Sequence, residues 1–159
     1  MTQSTWAQDT ADLSHVASID AIVETLYSVI SGKKGEPRDW ELMRSLFHPE
    51  AKAIPTGKRG ETYGATYMPI DTLISYQAKA FEKRGFVERE IHREVQQFGH
   101  LAHVFTTYEI LESASDATPQ MRGINSLQLL NDGERWWILN ISWMQESPEN
   151  LIPQEFLPD

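Results

Sequence analysis

An α+β domain, three helices followed by a long antiparallel meander, is the architecture that the amino-acid sequence predicts. Three observations lead to it. Apolar residues recur at helical spacing in three capped segments ahead of Gly85. From Phe86 onward the period changes to two. Gly99-His100 and Asp132-Gly133 then supply hairpin signals between the alternating runs.

Residues 1–17 are polar and unpatterned and are expected as a loose arm before a domain at 18–146. Ser18 reads as an N-cap, with Asp20 complementing the dipole of the first turn. Ile19, Ile22, Val23, Leu26, Tyr27 and Ile30 share one face of the first helix, and Gly32 stops it. Asp39 caps a second, short helix carrying Trp40, Met43 and Phe47. His48-Pro49 ends it, because a residue before proline avoids the α region. A short strand is expected at 51–54, closed by Pro55-Thr56-Gly57, with another extended piece at 61–68. Asp71 caps a third helix with Leu73, Ile74, Ala78 and Phe81, ending in Lys83, Arg84 and Gly85. Strands follow at 86–98, 101–113, 123–130 and 135–144. The tail, 147–159, holds Pro148, Pro153 and Pro158 and reads as an irregular strap.

Alternation assigns the faces of the meander. Val104, Thr106, Tyr108 and Ile110 point with Asn125, Leu127 and Leu129, and with Trp137, Leu139, Ile141 and Trp143, toward the helices. Arg89 and Arg93 share that face by the same count. Trp136, Phe105, Ile124 and Ile138 fall on the outer face, as do Glu90, His92, Glu94, Glu109 and Arg122.

Composition narrows the function. The 159 residues are 40% hydrophobic and 23% charged, enough for a globular core. A formal charge of −9 argues against a nucleic-acid or anionic-membrane surface. No apolar run approaches the ~18 residues of a membrane span, and no secretory leader is visible at the N-terminus. The absence of cysteine removes disulfides, thiolate metal sites and Cys nucleophiles and suits a cytoplasmic setting.

Three stretches, "LFHPEAKA", "EREIHREVQQFGHLAHVFTTYE" and "RGINSLQLLNDGERWWILNISW", resemble the NTF2-like superfamily, in particular its SnoaL-like and ketosteroid-isomerase-like branch. The resemblance covers roughly 18–143. It implies a cystatin-like cone, a curved antiparallel sheet wrapped around three N-terminal helices, with an apolar pocket between them. It also implies a homodimer packed through the outer sheet face. Relatives of the isomerase branch place a catalytic aspartate after the "LF" element; Pro55 occupies that place here and cannot move a proton.

On this reading a cavity lined by Tyr27, Trp40, His48, Tyr76, Tyr108, Asn125 and Trp143 binds a small apolar or aromatic molecule. An alternative is an isomerase, dehydratase or cyclase with His48 as general base and Tyr108 or Tyr27 as donor. His48 at the end of a helix also serves simply to complement its dipole. A third reading is a dimerisation module whose cone is filled by its own aromatics. Neither a cofactor nor a metal is expected: His100 and His103 sit in a hairpin, where their side chains diverge. The expected partners are thus an unidentified small molecule and a second copy of the chain, with no nucleic acid and no membrane.

Overall fold

The computed structural model describes residues 12–159. Helix α1 (Ile19–Ile30) begins where Ser18 Oγ accepts the Ala21 N–H at 3.0 Å. It ends at an extended Ser31, and the carbonyls of the following loop gather on Arg38. That buried guanidinium donates to the carbonyls of Ile30, Gly32, Lys33 and Glu36 at 2.6–3.2 Å. A charge so placed is tolerated because four of its five N–H groups meet carbonyl oxygens. Gly32 leaves room for it, since a Cβ there would sit 2.8 Å from Arg38 Cζ.

Helix α2 (Trp40–Leu46) is capped by Asp39, whose Oδ1 accepts the Leu42 N–H at 2.8 Å. It closes two residues before the His48-Pro49 stop, and the chain passes directly into β1 (Phe47–Arg59). Pro55 does not end this strand; the turn comes at Gly60, with φ +62°. Strands β2 (Thr62–Ala65) and β3 (Met68–Pro69) both fold back on β1. Helix α3 (Ile70–Phe81) starts after Pro69, one residue before the expected cap, leaving Asp71 in its first turn.

The meander β4 (Val87–Phe98), β5 (Leu101–Leu111), β6 (Met121–Asn131) and β7 (Trp136–Gln145) follows. The order across the sheet is β2-β1-β7-β6-β5-β4. β7 ends the meander beside β1 and runs parallel to it, so the sheet is mixed rather than wholly antiparallel. The result is a curved, unclosed sheet holding three helices, an α+β cone. Val16, Ile22, Val23, Met43, Leu46, Val104, Leu127, Leu129 and Ile138 are among the most deeply buried residues of the core between the layers.

Two bulges overturn the face assignments. In β4, Glu90 pairs with Tyr108 and His92 with Thr107, so Ile91 is an extra residue. Strand residues before it therefore change sides: Glu88 and Glu90 turn toward the helices, whereas Arg89 turns out to pair with Glu109. Arg93, beyond the bulge, faces the helices as expected and reaches Asp20 on α1. In β7, Leu129 pairs with Ile138 and Gln128 with Asn140, making Leu139 extra. Trp136 and Ile138 consequently point into the core, at 6% and 0% exposure. Trp137 lies outside, under the Arg135 guanidinium (3.6 Å to the ring centroid), and donates Nε1–H to Asp132 Oδ2 at 2.7 Å. The Asp132 carboxyl is held down to about 2 by this bond and by the backbone N–H groups of Glu134 and Arg135.

Segments near both ends of the described residues are tied to this frame. A 3-10 turn at Ser14–Val16 docks Val16 with no exposed surface, so the chain is fixed ahead of the boundary expected at 17. The rest of the expected arm, 1–11, lies outside the described residues. At the other end the strap crosses the outer face of β5. Thr107 Oγ1 donates to the Phe156 carbonyl at 2.7 Å, and the Phe156 ring meets Phe105 edge-on at 5.1 Å.

Candidate functional site

A cavity of about 230 Å³ lies between the three helices and the inner face of the sheet. Leu26 and Ile30 of α1, Met43 of α2, Leu73 of α3 and Ile141 of β7 give it apolar walls. Glu88, Tyr108, Asn125 and Gln77 bring polar atoms into it. A cavity of ~150 Å³ holds benzene and drug-sized sites start near ~300 Å³, so this one suits a molecule of one or two rings. A larger surface groove of about 480 Å³ runs between the β1–β2 hairpin and the strap. Its charged residues Lys58 and Glu149 already pair with each other, at 2.5 Å.

The polar wall is built by register. Asn125 on β6 pairs with Thr106 on β5, and Glu88 on β4 pairs with Ile110. All three polar side chains therefore rise on the inner face, below Tyr27 of α1. Asn125 Nδ2 donates to Glu88 Oε1 and to Tyr27 Oη, each at 3.1 Å. Tyr27 Oη is 3.0 Å from Thr106 Oγ1, which itself donates to Glu90 Oε2. Glu90 pairs with Arg93 at 2.7 Å and accepts the Thr106 hydroxyl. Thr106 has one proton and gives it to Glu90, so Tyr27 must donate to Thr106 and accept from Asn125. The bonds thus run in one direction, from Glu88's partner to the Arg93–Asp20 pair at the surface.

Glu88 keeps part of its surface, which it presents to the cavity, and is otherwise enclosed by protein. Burial pushes its carboxyl up to about 7 against the smaller, opposing effect of the Asn125 bond. Burial, and then the charge of Glu88, also push the hydroxyls of Tyr27 and Tyr108 well above the ordinary phenol value. Both tyrosines are therefore protonated at neutral pH. Tyr108 lies flat over Gly123, where a Cβ would come within 2.4 Å of its hydroxyl. The cavity can accordingly enclose an apolar molecule, hydrogen-bond it, and exchange a proton with it near neutral pH.

Of the residues expected at the site, Tyr108, Asn125 and Trp143 line the cavity, and Tyr27 stands behind Asn125 as its partner. Trp40 stacks on Phe81 at 6.1 Å instead, at the back of the core. Tyr76 is 64% exposed, because α3 turns Leu73 and Gln77 inward. His48 lies on β1 beside Trp137, its Nδ1 accepting the Glu50 N–H at 3.2 Å, and borders a separate depression with Glu41 and Arg44. It is not brought to Tyr108. Glu88 and Gln77 are the residues that sequence reasoning missed. His100 and His103 do diverge, to the Asn131 carbonyl and to Ser126 Oγ, at 2.9 Å each.

This is the fold of NTF2-like proteins with a cystatin-like architecture. An NTF2-like protein of unknown function from Silicibacter pomeroyi superposes with a TM-score of 0.56 at 18% identity, over 80% of this chain and 92% of that one. A cystatin-like-fold protein of unknown function from Nostoc punctiforme gives 0.61 at 8% identity, over 82% and 90%. A second cystatin-like-fold domain from that organism, also of unknown function, gives 0.62 at 14% identity, over 82% and 77%. No family model matches the chain, and no curated protein matches it. Among the described residues no helix is long and apolar enough to cross a membrane.

Proposed function

We propose that the protein binds a small, mainly apolar molecule in the cavity between the helices and the sheet. The observation that carries this reading is the convergence of Glu88, Tyr108 and Asn125 on otherwise apolar walls. The test is a fragment screen by NMR on the full chain, using one- and two-ring compounds such as toluene and indole. Shifts should concentrate on Leu73, Ile110, Asn125 and Trp143, and Leu73→Trp, which fills the space, should abolish them. Shifts scattered over the surface, or unaffected by Leu73→Trp, would sink the reading.

A second reading, an enzyme of the isomerase, dehydratase or cyclase kind, is favoured by a carboxyl near neutrality inside the cavity. The base role expected for His48 then passes to Glu88, with Tyr108 as the hydrogen-bond donor. Glu88→Gln should abolish turnover of a bound substrate while His48→Ala leaves it intact; the opposite pattern would restore His48 to the role.

Self-association through the outer face belongs to the same proposal. Two of its expected contributors are used within the chain, Ile138 in the core and Phe105 under Phe156. What supports it is the partly exposed Ile124 together with the apolar β4–β5 hairpin end, where Phe98 is 88% and Leu101 54% exposed.

A further inference from the structure

We infer that the ligand is a lipophilic amine, bound as its ammonium ion with the nitrogen on the Glu88 carboxylate and the hydrocarbon part against Phe47, Phe86 and Trp143. This rests on the cavity-binding reading above and narrows it to one chemical class.

The charge inventory is one-sided. Glu88 is the sole acid among the residues that line the cavity, and none of the described lining residues is Lys, Arg or His. An anionic ligand would meet a like charge where little water screens it. The hydrogen-bond inventory points the same way. Asn125 has two N–H groups, committed to Glu88 and Tyr27, and Tyr27 gives its proton to Thr106. Gln77 Oε1 is buried with no hydrogen-bond partner. Glu88 Oε2 has no hydrogen bond to the described residues beside it, while Oε1 takes the Asn125 bond. Glu88 Oε2 and Gln77 Oε1 are thus acceptors open to a ligand, and an ammonium supplies donors for them together with the missing positive charge. Phe47, Phe86 and Trp143 line the same cavity, and aromatic rings favour cations. A formal charge of −9 on the whole chain draws cations toward it.

Binding is then tied to protons. The titratable groups facing Glu88 are Tyr27 from α1 and Tyr108 from β5, both protonated; along its own strand lies Glu90, paired with Arg93. The linings from α2, α3, β6 and β7 contribute no ionisable group. With its carboxyl near 7, Glu88 is about half protonated at pH 7. Ammonium binding displaces that proton to solvent.

The experiment compares benzylamine, benzyl alcohol and benzoate with the full-length protein, by calorimetry in buffers of different ionisation enthalpy. Benzylamine should bind roughly tenfold tighter than the alcohol, with about half a proton released at pH 7. Its affinity should rise about tenfold from pH 6 to pH 8, and Glu88→Gln should bring it down to that of the alcohol. Should that variant fail to fold, the pH dependence and proton release of the wild type decide alone. Equal or tighter binding of the alcohol or of benzoate, or binding that strengthens on acidification, overturns the amine assignment and leaves cavity binding standing. Failure of all three probes to bind at millimolar concentration overturns both.

Discussion

A carboxyl that burial holds near neutrality destabilises its own fold whenever it is ionised. Glu88 has an ordinary value of 4.5 in the unfolded chain and about 7 in the folded one. Below pH 4.5 it is protonated in both states and its effect is nil. Between 4.5 and 7 the native state holds the proton more tightly, so stability falls as pH rises, and above 7 the loss is complete. The total is on the order of 3 kcal/mol. Glu88→Gln should therefore be the more stable protein at pH 8 and nearly equal at pH 4.5. Urea unfolding of both proteins at the two pH values measures this, and parallel profiles would refute the raised carboxyl. Gly123 offers a second test. A Cβ there meets Tyr108 Oη at 2.4 Å and the Met144 carbonyl at 2.6 Å, and the latter is backbone that cannot step aside. Gly123→Ala should cost about 1–3 kcal/mol and move Tyr108, visible as a change in its ring resonances.

Helices and strands were largely legible in the sequence because caps and periods are local signals. Ser18 and Asp39 cap the helices expected of them, and the Gly99-His100 and Asp132-Gly133 turns join the expected strands. Side chain direction was legible only as far as the first bulge. Counting back from Gly99-His100, strict alternation puts Arg89 and Arg93 inside and Glu88 and Glu90 outside; Ile91 reverses Arg89, Glu88 and Glu90 and leaves only Arg93 right. No local signal marks Ile91 as extra, and "ERE…HRE" reads equally well as a solvated stripe. Glu88 was invisible for that reason, while Tyr108 and Asn125, on strands whose alternation is unbroken, were found. The strap is a tertiary docking that proline content could suggest and only contacts could place. Since Phe156 adds an edge-on aromatic pair to Phe105, Phe156→Ala should cost about 1 kcal/mol. Ligand binding should be unchanged, because this contact is on the opposite side of the sheet from the cavity; altered affinity in that variant would show the two faces to be coupled.

As a whole the molecule presents an acidic surface with an apolar hairpin end, and its assembly depends on which of these dominates. Light scattering should give a dimer mass at micromolar concentration, shifting toward monomer in the double variant Phe98→Ser, Leu101→Ser. A monomeric wild type would remove the dimer from the proposal without touching the cavity. The fold itself tolerates wide divergence, as the 8–18% identities to its structural neighbours indicate, since what it demands is a face pattern rather than particular residues.

The bulge at Leu139 gives that pattern an unusual grammar. Removing Leu139 would leave strict alternation with Trp136, Ile138, Ile141 and Trp143 all still inside, because the bulge does no more than take up that one extra residue. Drawing Leu139 into the ladder with no residue lost would instead drive Trp137 into the core, tear its N–H from Asp132 and bring Trp136 to the surface. A lineage of this chain can thus gain or lose a codon at the bulge and keep the same rows of side chains on the same faces. Comparing such sequences column by column, without allowing for the slip, would match residues that never face the same way.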